Sequence, residues 1–199
     1  MEFTHLHVHT EYSLLDGSNK IKEYVARVKE LGMDSAAITD HGVMYGVIDF
    51  YRAARAEGIN PILGCEVYVA PGSRFDREAG SGEDRYYHLV LLAENNQGYA
   101  NLMKIVSKGF TEGFYYKPRV DLAVLKEYHE GIIALSACLA GEVARYLQRG
   151  MYEDANGSSS SISGYFWQRE FLPGITGSWN PCAETGKSGT SPYARRNRN

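Results

Sequence analysis

Short apolar runs alternate with amphipathic segments over the first 155 residues, and this alternation restricts the fold more than any other feature of the chain. The apolar runs have the length and composition of buried strands, and they cover residues 67–69, 89–92 and 132–135. The amphipathic segments have helical spacing and cover residues 20–31, 46–57, 97–108, 122–128 and 142–148. Such an alternation is typical of an α/β fold built on a parallel sheet or barrel.

Composition narrows the class of protein further. The sequence has no run of about 18 apolar residues and begins without a basic, apolar leader, so we expect a cytoplasmic protein that does not enter a membrane. The cysteines Cys65, Cys138 and Cys182 are too few and too scattered for a disulfide framework. The net charge is −3 and the tail holds more basic than acidic residues, so the body is acidic and DNA binding by bulk electrostatics is not expected. Bound metal ions could still reverse the charge within a cleft.

The sequence changes character near Ala155. We expect one domain over residues 1–155 and an irregular, low-complexity or disordered tail over residues 156–199, which opens with the run NGSSSS and ends in RRNRN. One interpretation is a flexible linker with a basic arm. We favour a second, a frameshift product, because back-translation in another frame permits the string MEAAAALADIFGKGNFFLELQDHGIPAQ. That string would continue the body with a helix, a turn and a strand.

Three histidines occupy alternate positions near the start of the chain, at His5, His7 and His9. Side chains two residues apart in a strand point to the same face, so His7 and His9 would direct two imidazoles at one point. A divalent metal needs this arrangement from a rigid element. Three surface histidines on an edge strand would give the same pattern, so this motif alone leaves both interpretations open.

Further candidate ligands follow or interrupt the predicted strands. Asp16 precedes the first helix, where it could also be an ordinary turn residue. His41 follows an apolar strand and precedes Gly42, at the position where α/β folds place their chemistry, although a turn residue would fit there as well. Glu66 interrupts an apolar strand, and a buried carboxylate is costly unless it is paired or coordinates metal.

Two more candidates complete the set. His88 opens the apolar run 88–93, and Cys138 follows the run 131–136. A thiolate with imidazoles and a carboxylate suits zinc, whereas histidine and carboxylate ligands alone also admit manganese or iron. Together these residues predict a multinuclear metal centre, and metal clusters of this kind hydrolyse phosphate esters. His129 lies in a polar context and is expected to be a solvated residue at a helix end.

Five segments make the chain resemble the PHP (polymerase and histidinol phosphatase) domain family. They are HLHVHTEYSLLDG at 5–17, ITDHG at 38–42, PILGCEVY at 61–68, GFYYKPR at 113–119 and LSACLAGE at 135–142. The first two resemble PHP proteins generally, and the last three resemble the branch found in bacterial replicative DNA polymerases. The resemblance runs from Met1 to about Ala155. It implies a distorted (βα)7 barrel, incomplete in this chain, with up to three metals at the strand ends.

Carried over by position, the resemblance implies three sets of metal ligands. The first set is His7, His9 and Glu66, which would act in catalysis through a metal-activated water. The second set is Glu66, His88 and Cys138, and the third contains Asp16 and His41. His5 would support the ligands from outside these sets. Zinc or manganese is the expected metal, and iron is admissible.

The resemblance also implies an activity and its alternatives. A metal-dependent phosphoesterase, such as a proofreading 3′→5′ exonuclease, is the first expectation. The alternatives are a non-catalytic module that contacts DNA or replisome subunits through a parent polymerase, and a stand-alone histidinol phosphatase. The polymerase palm, which uses magnesium, does not occur in this sequence. The family's late Asp-x-His pair is also missing, since no histidine follows His129, so we expect an incomplete barrel that is poorly soluble and not a stable partner.

Overall fold

The computed structural model describes residues 3–14, 16–77, 85–166 and 171–172. The described helices are α1 (Ile21–Glu30), α2 (Val47–Ala56), α3 (Asn96–Thr111), α4 (Leu122–Glu127), α5 (Glu142–Gln148) and α6 (Tyr152–Tyr165). The described strands are β1 (Ser35–Ile38), β2 (Asn60–Val69), β3 (Tyr87–Ala93), β4 (Phe114–Tyr115), β5 (Lys117–Val120), β6 (Ile132–Leu135) and β7 (Phe171–Leu172). The α/β class and every helix predicted within the body are confirmed, with bounds that move by at most three residues. No helix in the described residues is long and apolar enough to cross a membrane.

The strands form one mixed sheet in the order β4-β5-β2-β3-β6-β7, and β1 pairs with β2 beside this path. The pairs β1–β2, β2–β5 and β6–β7 are parallel, whereas β2–β3 and β3–β6 are antiparallel. The sheet is therefore mixed, whereas the alternation of strands and helices indicated parallel strands. The described part of the segment between β2 and β3 contains no α-helix, the element that usually carries a chain back across a sheet to start a parallel strand.

The long strand β2 separates the apolar core from the candidate site. Cys65, Val67 and Val69 alternate along β2 and join the largest core cluster, to which α3 and α4 contribute. Glu66 and Tyr68 point to the opposite face, where β3 places His88 directly across from Tyr68. Alternation along one strand thus separates hydrophobic burial from chemistry. The free thiol of Cys65 is fully buried in this core.

Helix α6 corrects the expected irregular tail, because it runs through the predicted boundary at Ala155 and the serine-rich run that follows. Ala155, Ile162 and Phe166 are buried, and their spacing places them on one helical face. Ser158 donates a hydrogen bond to Glu142 on α5 (2.8 Å). Glycine and serine have low helix propensity, so composition concealed a helix that tertiary packing stabilises. The frameshift stays a prediction, which the nucleotide sequence of the locus tests, and the tail beyond residue 172 lies outside the described residues.

Candidate metal centre

A fully buried carboxylate, Glu66, lies at the centre of the candidate site and is surrounded by four imidazole rings. Its Oε1 lies 3.2 Å from Nε2 of His7 and 3.1 Å from Nδ1 of His88. Its Oε2 lies 3.3 Å from Nε2 of His9 and 2.7 Å from Nδ1 of His41. Four histidines from three separate parts of the sequence therefore converge on one carboxylate.

The sheet topology explains this convergence. His41 follows β1, and an isolated bridge pairs it with Glu66 on the parallel strand β2. Because β3 runs antiparallel to β2, its beginning lies at the same end of the sheet, and His88 stands at that beginning. Cys138 follows β6, which is also antiparallel to β3, and so reaches the same edge. His88 stands at the start of its strand. Because that strand is antiparallel, its start lies at the same edge of the sheet as the ends of β1 and β6, which His41 and Cys138 follow.

The segment that carries His7 and His9 is not a regular strand, which corrects the geometry assumed for it. Its backbone is tied to Thr39 instead: Thr39 donates its N–H to the Val8 carbonyl (2.8 Å), and its hydroxyl accepts from the Val8 N–H (2.7 Å). The His7 and His9 rings still lie close together, edge to face, with centroids 4.9 Å apart. An extended segment fixed by one threonine thus aims both rings at Glu66.

Asp40 fixes the next part of the same segment. Its buried carboxylate accepts hydrogen bonds from the Thr10 N–H (2.6 Å), the Thr10 hydroxyl (2.7 Å) and the Ser13 hydroxyl (2.6 Å). Ser13 Oγ in turn accepts from the His41 N–H (3.1 Å). A carboxylate with these donors holds the N-terminal segment in register with the His41 turn. The role of Asp40 was not predicted from the sequence, although Asp40 directly precedes His41.

Asp16 reaches the site from an exposed turn, where its Oδ2 lies 2.5 Å from Nε2 of His41. The turn depends on Gly17, because a Cβ atom there would lie 1.8 Å from the Thr10 carbonyl oxygen. Any side chain would therefore push Asp16 away from His41. Asp16 and His41, which the resemblance assigns to one ligand set, are thus in direct contact, and His9 stacks on His41 with ring centroids 4.0 Å apart.

Cys138 lies beside Glu66 and His88, the other two residues of the second predicted set. Its Sγ is 3.8 Å from Glu66 Oε1 and 3.7 Å from His88 Nδ1. The preceding residue, Ala137, has a φ of 62°, a left-handed conformation that is costly for a residue with a Cβ atom. Backbone strain of this kind persists where the surrounding structure enforces it, and here it accompanies the entry of Cys138 into the site.

Two histidines lie outside this centre. His5 is exposed, and its ring contacts Phe3 edge to face with centroids 4.8 Å apart. His129 contacts the Lys126 carbonyl through Nδ1 (2.8 Å), at the opposite end of β6 from Cys138. The separation of His129 from the predicted ligands matches the sequence analysis, which placed it at a helix end.

The charges within the cluster are strongly coupled. Burial alone would protonate Glu66, but the contacts with His41, His7 and His88 outweigh burial and hold its pKa well below the usual range. Burial opposes charge on His88 too, yet Cys138 and Glu66 raise its pKa to about 9. Burial and the neighbouring His41 lower the pKa of His9, which favours the neutral imidazole that a metal requires.

Unpartnered atoms test whether these residues suit a metal. Four buried atoms of the cluster lack an aligned hydrogen bond within the described structure: His7 Nε2, His9 Nδ1, His41 Nδ1 and Glu66 Oε2. Buried polar atoms are normally satisfied, and a cation bound among these nitrogen and oxygen atoms would satisfy them. Three sets of residues could each hold a metal, because within each set the candidate ligand atoms lie within 4.8 Å of one another. The sets are His7 with His9 and Glu66, His9 with Asp16 and His41, and His41 with Glu66 and His88. The nitrogen and oxygen donors fit zinc, manganese or iron.

The pKa shifts predict how stability without metal depends on pH. His88 has a raised pKa, so its contribution is complete below its unfolded value of about 6.5 and is lost as the pH rises through about 9. Glu66 has a lowered pKa, so its contribution is lost only in acid, below its unfolded value of about 4.3. We expect the chelator-treated protein to lose stability from pH 6.5 to 9 in urea unfolding experiments. Because metal displaces protons from its ligands, saturating zinc or manganese should reverse this trend, and an unchanged slope would contradict it.

Comparisons with known proteins identify the family of this chain. A family model described as "PHP domain" matches residues 5–172. The chain is 51% identical over 155 residues to the DNA polymerase III subunit alpha of Treponema pallidum, covering 78% of this chain and 13% of that protein. It is 42% identical over 175 residues to the corresponding subunit of Thermus aquaticus, covering 86% of this chain and 14% of that protein.

Among solved structures, a protein from Bifidobacterium adolescentis described as a putative metal-dependent phosphoesterase overlaps with a TM-score of 0.37 at 18% identity, covering 86% of this chain and 58% of that one. The chain spans about an eighth of the length of the polymerase subunits that it matches. The family match covers most of the chain and includes the whole Glu66 cluster, which consists of His7, His9, Asp16, His41, Glu66, His88 and Cys138. The chain belongs to the PHP domain family, and its sequence relatives are alpha subunits of DNA polymerase III.

Proposed function

We propose that this domain is a metal-dependent phosphoesterase that acts on the 3′ ends of DNA as part of a replicative polymerase. One observation carries the proposal: a fully buried carboxylate, Glu66, has four imidazoles within 3.3 Å. A purely structural core would rarely bury so many ionisable groups together. Likeness to polymerase subunits supports DNA as the substrate and replisome subunits as partners in the cytoplasm.

The ligands proposed for the metals are those predicted from the sequence: His7, His9, Asp16, His41, Glu66, His88 and Cys138. Bound zinc or manganese would supply an activated water at neutral pH and stabilise charge on the phosphoryl oxygens. The chain itself contributes rigid positioning, because Asp40 fixes the segment bearing His7 and His9. Its depressed pKa keeps Glu66 anionic at neutral pH, so its negative charge would be available to offset cations held by the surrounding imidazoles.

Replacing His9 with alanine tests the proposal. We expect the parent chain, loaded with zinc or manganese, to shorten a 5′-labelled single-stranded oligonucleotide from its 3′ end, and His9→Ala to slow this about 100-fold or more. His129→Ala removes a histidine outside the centre and should retain the parent rate. Circular dichroism confirms that both variants fold. A parent chain that binds metal but cleaves neither DNA nor a simple phosphodiester would refute the proposal.

A non-catalytic role is the second candidate, and one feature favours it. The cluster is held together by its own contacts, including His41 with Asp16 and His88 with Glu66, so it could stabilise the domain without turnover. A stable metal complex that is inactive towards DNA would support this role. Turnover of histidinol phosphate would instead support the stand-alone phosphatase, the third alternative.

A further inference from the structure

Beside the metal centre lies a group of aromatic and basic side chains that we call the aromatic–basic strip. It consists of Tyr68, Arg85, Tyr86, Tyr116 and Lys117. None of these residues belongs to the predicted ligand sets. Tyr68 is buried, Arg85 and Tyr86 are half-buried, and Tyr116 and Lys117 are exposed, so the strip leads from the interior to the surface.

The five residues of the strip are linked in a closed circuit by three side-chain contacts and two pairs of neighbours in the sequence. The Tyr68 and Tyr86 rings pack edge to face with centroids 4.8 Å apart, and Lys117 Nζ lies 5.4 Å from the centre of the Tyr68 ring. The guanidinium of Arg85 lies 4.5 Å from the centre of the Tyr116 ring. Because Arg85 adjoins Tyr86 and Tyr116 adjoins Lys117 in sequence, the two pairs of contacts hold each other in place.

Tyr68 joins the strip to the metal centre. It shares a strand face with Glu66, its ring is parallel to that of His41 at 6.2 Å, and it meets His88 edge to face at 5.2 Å. The turn at Gly42 closes the gap, since a Cβ atom there would lie 2.8 Å from the Tyr68 ring and 3.0 Å from Pro118. The strip therefore begins where the phosphate to be cleaved would lie.

Tyr116 lies at the tip of the tight hairpin that joins β4 to β5. Its φ is 61°, a left-handed conformation that this turn requires, and its side chain is 65% exposed. The hairpin thus displays a large ring in solvent next to a cation, where the ring is free to stack on a ligand. Two cations, Arg85 and Lys117, thus lie against rings of the strip although the body as a whole is acidic.

We propose that the aromatic–basic strip is the subsite that binds the single-stranded 3′ end of the nucleic acid and delivers its terminal phosphodiester to the metal centre. Bases stack on aromatic side chains without regard to sequence, and adjacent cations follow the phosphates. Tyr116 stacks a base, Lys117 and Arg85 contact phosphates, and Tyr68 separates the strand from the ligands. This inference rests on the proposed function, because it identifies where the substrate of that activity binds.

Binding without turnover provides the test. The probe is a fluorescein-labelled dodecathymidylate, titrated with the whole chain in EDTA and followed by fluorescence anisotropy. We expect Tyr116→Ala to weaken binding about tenfold, since loss of one stacked base has about this effect. Lys117→Gln should lower the dependence of log affinity on log salt by about 0.7, the value for one phosphate contact on a single strand.

Two matched variants serve as controls. Tyr152→Ala removes a tyrosine of equal exposure (66%) at the start of α6. Lys104→Ala removes a lysine that lies 5.3 Å from the Tyr128 ring, at the end of the sheet away from Cys138. Both controls should bind the oligonucleotide like the parent chain. If either weakens binding as much as Tyr116→Ala, the effect is nonspecific and the proposal is overturned.

The outcomes distinguish this inference from the proposed function. If Tyr116→Ala weakens binding and raises KM for cleavage, both stand. If binding depends on Tyr116 but the metal-loaded parent cleaves nothing, the subsite stands and the phosphoesterase fails. If the parent cleaves DNA while Tyr116→Ala binds and cleaves as the parent does, the subsite is refuted. A parent that binds a duplex but not a single strand refutes it as well.

Discussion

Replacing Glu66 with glutamine is expected to abolish stoichiometric metal binding with little change in side-chain volume. Glu66 is shared by two of the three sets of ligand atoms, so one substitution removes an anionic donor from both. Loss of a residue that only supports the ligands already costs about 10–100-fold in metal affinity, and loss of a bridging carboxylate should cost at least about 100-fold. Inductively coupled plasma mass spectrometry after desalting measures the metal that remains.

The same substitution should also remove the charge that keeps imidazoles protonated in the metal-free protein. His88 would then titrate below its raised pKa of about 9, and NMR of its ring protons would follow the shift. Glu94→Gln is the matched control. Glu94 is exposed and directly follows β3, so this variant should retain metal. A Glu66→Gln protein with parent-like metal content would show that the carboxylate is not a ligand.

Truncating Asp40 to alanine is expected to destabilise the domain by about 3–5 kcal/mol. Hydrogen bonds to a charged acceptor contribute about 1.5–3 kcal/mol each, and Asp40 accepts three, all buried, from Thr10 and Ser13. Their loss leaves the Thr10 N–H buried without a partner and releases the segment bearing His7 and His9. Urea unfolding measures the free energy, and hydrogen exchange should show faster exchange in residues 5–14.

Asp34→Ala is the control for this prediction. Asp34 is exposed before β1, accepts a hydrogen bond from the adjacent Ser35 hydroxyl (2.8 Å), and should change stability by no more than about 0.5 kcal/mol. Asp40→Asn keeps one carbonyl oxygen and should fall between the parent and Asp40→Ala. Equal stability for Asp40→Ala and the parent would mean that Thr39 alone holds the N-terminal segment.

Local patterns predicted much of this structure because they report local physics. The helical spacing of residues 142–148 matched α5 without error, and a carboxylate inside the apolar run at Glu66 indicated a site because its burial is costly. His88 and Cys138 were identified as candidates from their positions at the ends of apolar runs. In each case the residue and the pattern that reveals it lie within one element.

Long-range pairing accounts for what the sequence could not supply. The direction of a strand depends on the connection that precedes it. The connection between β2 and β3 shows no periodicity in the sequence, so their antiparallel pairing could not be predicted. Thr39 replaces strand pairing for His7 and His9, a contact across about 30 residues. Tyr68 was overlooked as a site residue because an aromatic residue in an apolar strand resembles a core residue. Only the strand face that it shares with Glu66 distinguishes it from the core.

The wide spacing of the Glu66 cluster along the chain has a consequence for biosynthesis. Its residues extend from His7 to Cys138, so the last predicted donor is synthesised roughly 10 s after the first at ordinary translation rates. Until Cys138 leaves the ribosome, the nascent chain holds a partial set of donors that could capture the wrong ion or lose the right one. We therefore expect nascent chains to retain metal only after β6 and the residues that follow it have left the ribosome. Metal loading would then be a late step in the synthesis of the domain.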